Sequence, residues 1–204
     1  MNLKKLKSTE GYKTIANGIW RDHPIFSMVL GICSALAVSN RVDNAIAMSA
    51  GVTFVLAATA IIISLLRRMI PIRVRIITFM IVIATFVIIV DKFLKAFFPT
   101  ISTAIGPYVG LIITNCIIMG RAEAFYIQNN LRLSVLDALS NGFGYAYTLI
   151  SIAVLRELLG FGTLMGIRIM PEGWTNWVVM SMAPGAFFLL GIFIWLTRTL
   201  AKID

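Results

Sequence analysis

The chain has 204 residues, 59% of them hydrophobic and 13% charged, with a mean hydropathy of +0.90 and a formal net charge of +9. A soluble domain is about a quarter charged, so this composition excludes a soluble enzyme and marks an all-α integral membrane protein. The 18 Lys and Arg residues gather at the ends of apolar runs rather than along one face, which argues against nucleic acid as a partner and reads as topology signals for a protein surrounded by lipid.

Residues 1–23 form a basic segment expected in the cytoplasm. No small-residue cleavage site follows the first apolar stretch, so no signal peptide is expected. His23, just before Pro24, reads as an interfacial residue rather than a ligand. Six apolar segments follow, at 24–38, 45–66, 74–90, 108–120, 135–155 and 177–196, and 201–204 make a short tail. A spanning helix needs about 20 apolar residues. The second, fifth and sixth segments meet that length, and the third does if Ile70 to Ile72 join it. The first and fourth are short, and they carry the chain's two cysteines, Cys33 and Cys116.

The order of features after each cysteine is the same. Cys33 is followed by a loop with Arg41, a long segment, Arg67 and another segment. Cys116 is followed by a loop with Arg121, a long segment, Arg156 and another segment. Three spans per half force the second half upside down. The expected fold is therefore six transmembrane helices in two inverted three-helix repeats, about 24–95 and 101–198, inside a membrane domain 24–200. Paired short segments in such a repeat mark the functional centre. With six spans, thirteen positive residues fall on one side and five on the other, which places both termini in the cytoplasm.

The thiols admit three readings: small buried hydrophobes, a disulfide, and metal ligands. A disulfide is disfavoured because neither cysteine sits in an exposed extracytoplasmic loop. Iron–sulfur clusters usually take four cysteines, so two thiols would supply half a cluster and a partner the rest. Gly31 and the pair Thr114–Asn115 place polar groups beside sulfur; their other readings are close helix packing and an interhelical hydrogen bond.

Farther along, Gly120 ends the fourth segment, and the chain is expected to break after Val38 and again after Gly120. Arg121 and Glu123 are expected to pair with each other or with backbone there. Asp137, Asn141 and Tyr145 share one helix face and form a candidate cation path, because an intramembrane carboxylate is a functional candidate by default. The alternative is that Asp137 caps a helix end. There is no phosphate-binding loop and no clear flavin-attachment pattern, so the chain has no catalysis of its own. A small inverted-repeat transporter or channel is the competing reading from another class.

"LGICSALAV" at 30–38 and "GLIITNCIIMGRAEAF" at 110–125 closely resemble the NqrD/RnfE family, as do "LRELLG" at 155–160 and "APGAFFLLGIFIWLTRTL" at 183–200. The likeness runs from about Pro24 to Leu200. Its members are membrane components of two bacterial inner-membrane translocases, NqrD in the Na+-translocating NADH:quinone reductase and RnfE in the Rnf complex. "CSALAV" and "IWLTRTL" lean to the reductase. The resemblance implies a 2Fe-2S cluster shared with a homologous six-helix partner of opposite topology, NqrE in the reductase or RnfA in Rnf. Cys33 and Cys116 would be this chain's ligands. Electron transfer across the membrane would be coupled to Na+ or H+ transport, with flavins and NADH on other subunits.

Overall fold

The computed structural model describes residue 25 and residues 28–164, 167–168 and 177–201. His23, the basic segment 1–23 and the tail beyond residue 201 lie outside the described residues. The apolar runs fold as helices, and the one exception among the described residues is a minimal hairpin, Thr163–Leu164 paired antiparallel with Ile167–Arg168.

A seven-residue half-helix, α1 (Ile32–Val38), leads into α2 (Val42–Leu66). Pro71 stops the chain after Leu66, and a 3-10 turn (Ile72–Val74) starts α3 (Arg75–Phe97). A single residue, Phe98, separates α3 from α4 (Pro99–Ile113), which opens with proline at its first position, where no N–H is needed. A second half-helix, α5 (Cys116–Arg121), passes into a π-helical turn (Ala122–Tyr126). Then come α6 (Leu131–Phe161), closed by Gly162 in the left-handed conformation, and two pieces, α7 (Val178–Ser181) and α8 (Ala183–Ala201).

Four stretches are long and apolar enough to cross a membrane: Val42–Leu66, Ile72–Phe97, Gly106–Tyr126 and Leu131–Phe161. The sixth apolar segment is not the single span expected. It is broken at Met182 because Pro184 has no N–H for the carbonyl of Met180 and its ring would strike that carbonyl. The fourth segment also differs from expectation. The chain does not break after Gly120, which lies inside α5; it breaks before Cys116, at Thr114 and the extended Asn115.

α2 and α6 form the centre and make the most extensive helix pair. They run antiparallel, as three ties along their length require. Glu157 accepts from the N–H of Val42 at 2.7 Å. Gly142 faces Thr53 so closely that a Cβ would lie 2.7 Å from the threonine methyl. Arg67 donates to the carbonyl of Asn129 at 2.7 Å and to the side chain of Asn130 at 3.0 Å. Outside this pair, α3 and α8 turn Ile76, Ile77, Ile81, Phe187, Phe188 and Trp195 outward, an apolar surface suited to lipid.

Candidate functional site

The two half-helices bring the cysteines together. Cys33 is the second residue of α1 and Cys116 the first of α5, and their thiols lie within reach of each other. Both are free; Cys33 is exposed and Cys116 partly buried. The N–H of Gly31 donates to Sγ of Cys116 at 2.8 Å. Gly31 has φ of 79°, and a Cβ there would overlap the side chain of Ile117, so glycine is required twice over.

Beneath the thiols lies a buried knot of hydroxyls centred on Ser34. The Tyr145 hydroxyl donates to Ser34 Oγ at 2.9 Å, Asn115 Nδ2 donates to the same oxygen at 3.3 Å, and Ser34 donates to the carbonyl of Gly31 at 3.0 Å. Asn115 Oδ1 also accepts from the N–H of Ile117, which starts α5. The side-chain amide of Asn115 is thus given to an inter-element bond and a helix cap rather than to sulfur, and Thr114 terminates α4. The donor beside sulfur is Gly31, reaching across from the other cysteine's motif. Nothing in the sequence singles out Ser34; a serine next to a cysteine in an apolar run is the available signal.

The second cluster is built on α6. Arg121 donates to Asp137 Oδ1 at 2.7 Å with both side chains buried, and its guanidinium lies 5.7 Å from the Phe125 ring centre. Glu123 pairs with Arg75 at 2.7 Å instead. Arg121 and Glu123 therefore do not pair with each other. Side chains two apart on a helix do not face one another. Asp137 does not cap α6 either, because the helix begins six residues earlier at Leu131. Asn141 Nδ2 donates to the Asp137 carbonyl at 2.8 Å, while Asn141 Oδ1, Ser134 Oγ and the Tyr126 hydroxyl are buried with no hydrogen-bond partner among the described residues. Tyr145 shares the helix face but not this cluster. It lies about 12 Å farther along α6, against the thiol site.

A third set, not assigned a function from the sequence, is the neighbouring pair Arg156 and Glu157, both buried. Arg156 Nη1 donates to Ser39 Oγ at 2.6 Å and to the Leu36 carbonyl at 3.2 Å; Nε donates to the Met180 carbonyl at 3.1 Å and Nη2 to the Met182 carbonyl at 3.3 Å. Two ionisable residues inside an apolar stretch are the legible signal. Arg121 and Arg156 are buried and bonded, so they are not interfacial topology charges; setting them aside leaves twelve positives against four, the same sense.

The donor set fits half of an iron–sulfur site. Two adjacent thiols, one of them open to the surroundings, have a backbone N–H aimed at sulfur, the contact that tunes such centres. Among the described residues no group of three or more His, Cys, Asp or Glu side chains is placed to hold a metal ion by itself.

Residues 12–194 match the profile of a family described as "Rnf-Nqr subunit, membrane protein". The chain is 43% identical over 204 residues to the D subunit of the Na(+)-translocating NADH-quinone reductase of Chlamydia trachomatis serovar L2, with 95% of this chain and 96% of that protein covered. It is 46% identical to the protein of the same name from Chlamydia pneumoniae, at the same coverage. It is also 46% identical to that of Psychromonas ingrahamii over 200 residues, with 95% of each chain covered.

Proposed function

The chain belongs to the Rnf-Nqr family of membrane subunits, and from that premise we propose that it is the NqrD component of a Na+-translocating NADH:quinone reductase. In this role it has no catalysis alone. It contributes Cys33 and Cys116 to a 2Fe-2S cluster completed by two cysteines of a homologous partner, NqrE. The relatives named above favour the reductase over Rnf.

One observation carries the cluster assignment: the Gly31 N–H points at Cys116 sulfur while the Cys33 thiol stands beside it, exposed. Packing cysteines need no donor at sulfur and are usually fully buried. The bound cluster would supply one-electron relay between cofactors on other subunits. The chain's own residues set the terms. Cys33 and Cys116 bind as thiolates. Gly31 stabilises negative charge on Cys116 through its N–H. Ser34, held by Tyr145 and Asn115, bonds the Gly31 carbonyl and so restrains the residue that presents that N–H.

The inverted repeat belongs to the same proposal. Its support is reciprocal: Arg67, near the end of α2, grips the loop before α6, and Arg156, near the end of α6, grips the loop before α2. An inverted pair of half-helices would meet a partner of opposite topology at the thiols, in the inner membrane and with both termini cytoplasmic. Asp137 and Asn141 remain the candidate cation path, with buried oxygens around them; Arg121 must release Asp137 before a cation replaces it.

The test is iron and acid-labile sulfide analysis of the intact purified complex. Iron and sulfide are expected in equal amounts and are expected to vanish in Cys33→Ala and in Cys116→Ala while the protein stays in the complex. Full iron content in either variant rejects the ligand assignment.

A further inference from the structure

We infer that Arg156 is a positioning residue that locks the half-helix bearing Cys33 to the kink between α7 and α8. Every helix end leaves backbone carbonyls without partners, and inside a membrane no water satisfies them. Two such carbonyls converge here, together with that of Met182. The carbonyl of Leu36 lies in the last turn of α1, one turn from Cys33. That of Met180 has lost its helical donor because the residue four positions on is Pro184. The carbonyl of Met182, at the kink itself, accepts from the Ala186 N–H at 3.4 Å and takes the guanidinium as a second donor. One guanidinium serves all three and also Ser39 Oγ.

The choice of arginine matters because the guanidinium is planar and its donors are fixed relative to one another. Nη1 is committed to α1 and its following loop, and Nε and Nη2 to the α7–α8 kink. Neither helix end shifts without breaking a charge-assisted bond to a buried cation. Satisfying Met180 alone would have needed only a hydroxyl. Glu157, next in sequence, extends the lock to a third helix by accepting from the N–H of Val42 at the start of α2. Arg67 makes a looser counterpart, gripping one loop only. The thiol on α1 therefore inherits its position from α6 and from the last helix pair, and displacement of α8 is passed to Cys33. The link to electron transfer rests on the proposed cluster; the link to Cys33 placement does not.

The experiment uses the intact complex with Arg156→Gln, Arg156→Lys and Ser39→Ala. Cys33 alkylation by a membrane-permeant maleimide, read by peptide mass spectrometry after a chelator has stripped iron from the complex and freed the thiol, reports its placement. The midpoint potential and line shape of the iron–sulfur electron paramagnetic resonance signal report the site. Arg156→Gln is expected to change the alkylation rate of Cys33 by about tenfold, the weight of one hydrogen bond to a charged group, and to shift the potential. Arg156→Lys, which reaches one helix end but not both, is expected to fall between Gln and the parent. If Arg156→Gln is lost from the complex, Ser39→Ala decides, since it removes only the 2.6 Å bond and leaves the guanidinium its carbonyls. Alkylation unchanged in every variant that assembles overturns the inference. A parent complex without any iron–sulfur signal overturns the cluster instead, and the alkylation result still stands.

Discussion

The backbone N–H of Gly31 donates to Sγ of Cys116 at 2.8 Å, joining two half-helices that are 85 residues apart in the chain. The bond exists because Gly31 adopts φ of 79° and because no side chain stands between it and Ile117. Gly31→Ala adds a Cβ to a left-handed residue, at about 1–2 kcal/mol, and drives it into Ile117. The expected result is a lower thermal midpoint for the complex and a changed potential at the thiol site. Ile117→Val in the same chain removes the methyl in closest conflict but leaves the backbone strain. It is expected to restore part of the stability. Differential scanning of the purified complex checks both, and a neutral Gly31→Ala rejects the requirement for glycine.

Tyr145, expected on the cation path, is found under the thiols, donating to Ser34. Tyr145→Phe deletes that donor at about 0.5–1.5 kcal/mol and leaves Ser34 with Asn115 and Gly31. The expected signature is a shifted potential at the thiol site with an unaltered sodium dependence of turnover. A changed sodium dependence with an unmoved potential returns Tyr145 to the cation path.

These two residues mark how far the sequence is legible. The membrane class and the long apolar helices follow from local composition, because lipid demands long apolar runs with their own hydrogen bonds. Helical spacing puts Asp137, Asn141 and Tyr145 on one side of α6, and they are all buried. Periodicity fixes a face but not the neighbour packed on it, so it cannot divide the three between two sites. Arg121 and Glu123 show the same limit, since each finds its partner on a different helix. The break near Cys116 lies on the other side of the cysteine from Gly120, where it is expected. A glycine looks like a breaker, whereas the actual stop is Thr114, which ends one helix, followed by an asparagine that caps the next.

The buried Arg121–Asp137 pair gives a double-mutant cycle. Removing one partner of a buried ion pair costs about 3–5 kcal/mol, while replacing both by apolar residues of similar volume is often neutral. Arg121→Met and Asp137→Leu are each expected to destabilise the protein strongly, and the double variant is expected to recover much of the loss. If Asp137 also serves the cation, the recovered double variant folds but loses sodium-coupled transport. Additive losses in the cycle reject the pairing.

Topology is tested at two points chosen from the helices. A reporter after Asp204 is expected in the cytoplasm, because of the charge bias. A second insertion belongs at Phe98, the single non-helical residue between α3 and α4, rather than anywhere in 92–97, which is helical. It is expected on the opposite side. Both reporters on one side reject an odd number of crossings between them.

The last test asks whether the break before Cys116 moves during turnover. A change of charge at the thiol site is costly in a medium that solvates charge poorly, and the local way to relieve it is for a cation to approach or for a half-helix to shift. The shift, if it occurs, must happen where the ladder of helical bonds is already interrupted, at Thr114 and Asn115, and not at Gly120 within α5. Asn115 restrains that point twice, through the cap on Ile117 and the bond to Ser34. Asn115→Ala releases both restraints and loses a cap valued at about 1 kcal/mol. Gly120→Ala adds a methyl that meets only the end of the flexible Leu30 side chain, at 3.3 Å, and leaves the break untouched. In reconstituted vesicles, Asn115→Ala is expected to lower sodium uptake per electron while iron content is retained, and Gly120→Ala is expected to keep the parent ratio. A fixed ratio of uptake to electron flow in Asn115→Ala, with both rates reduced together, would leave the half-helix a rigid conductor.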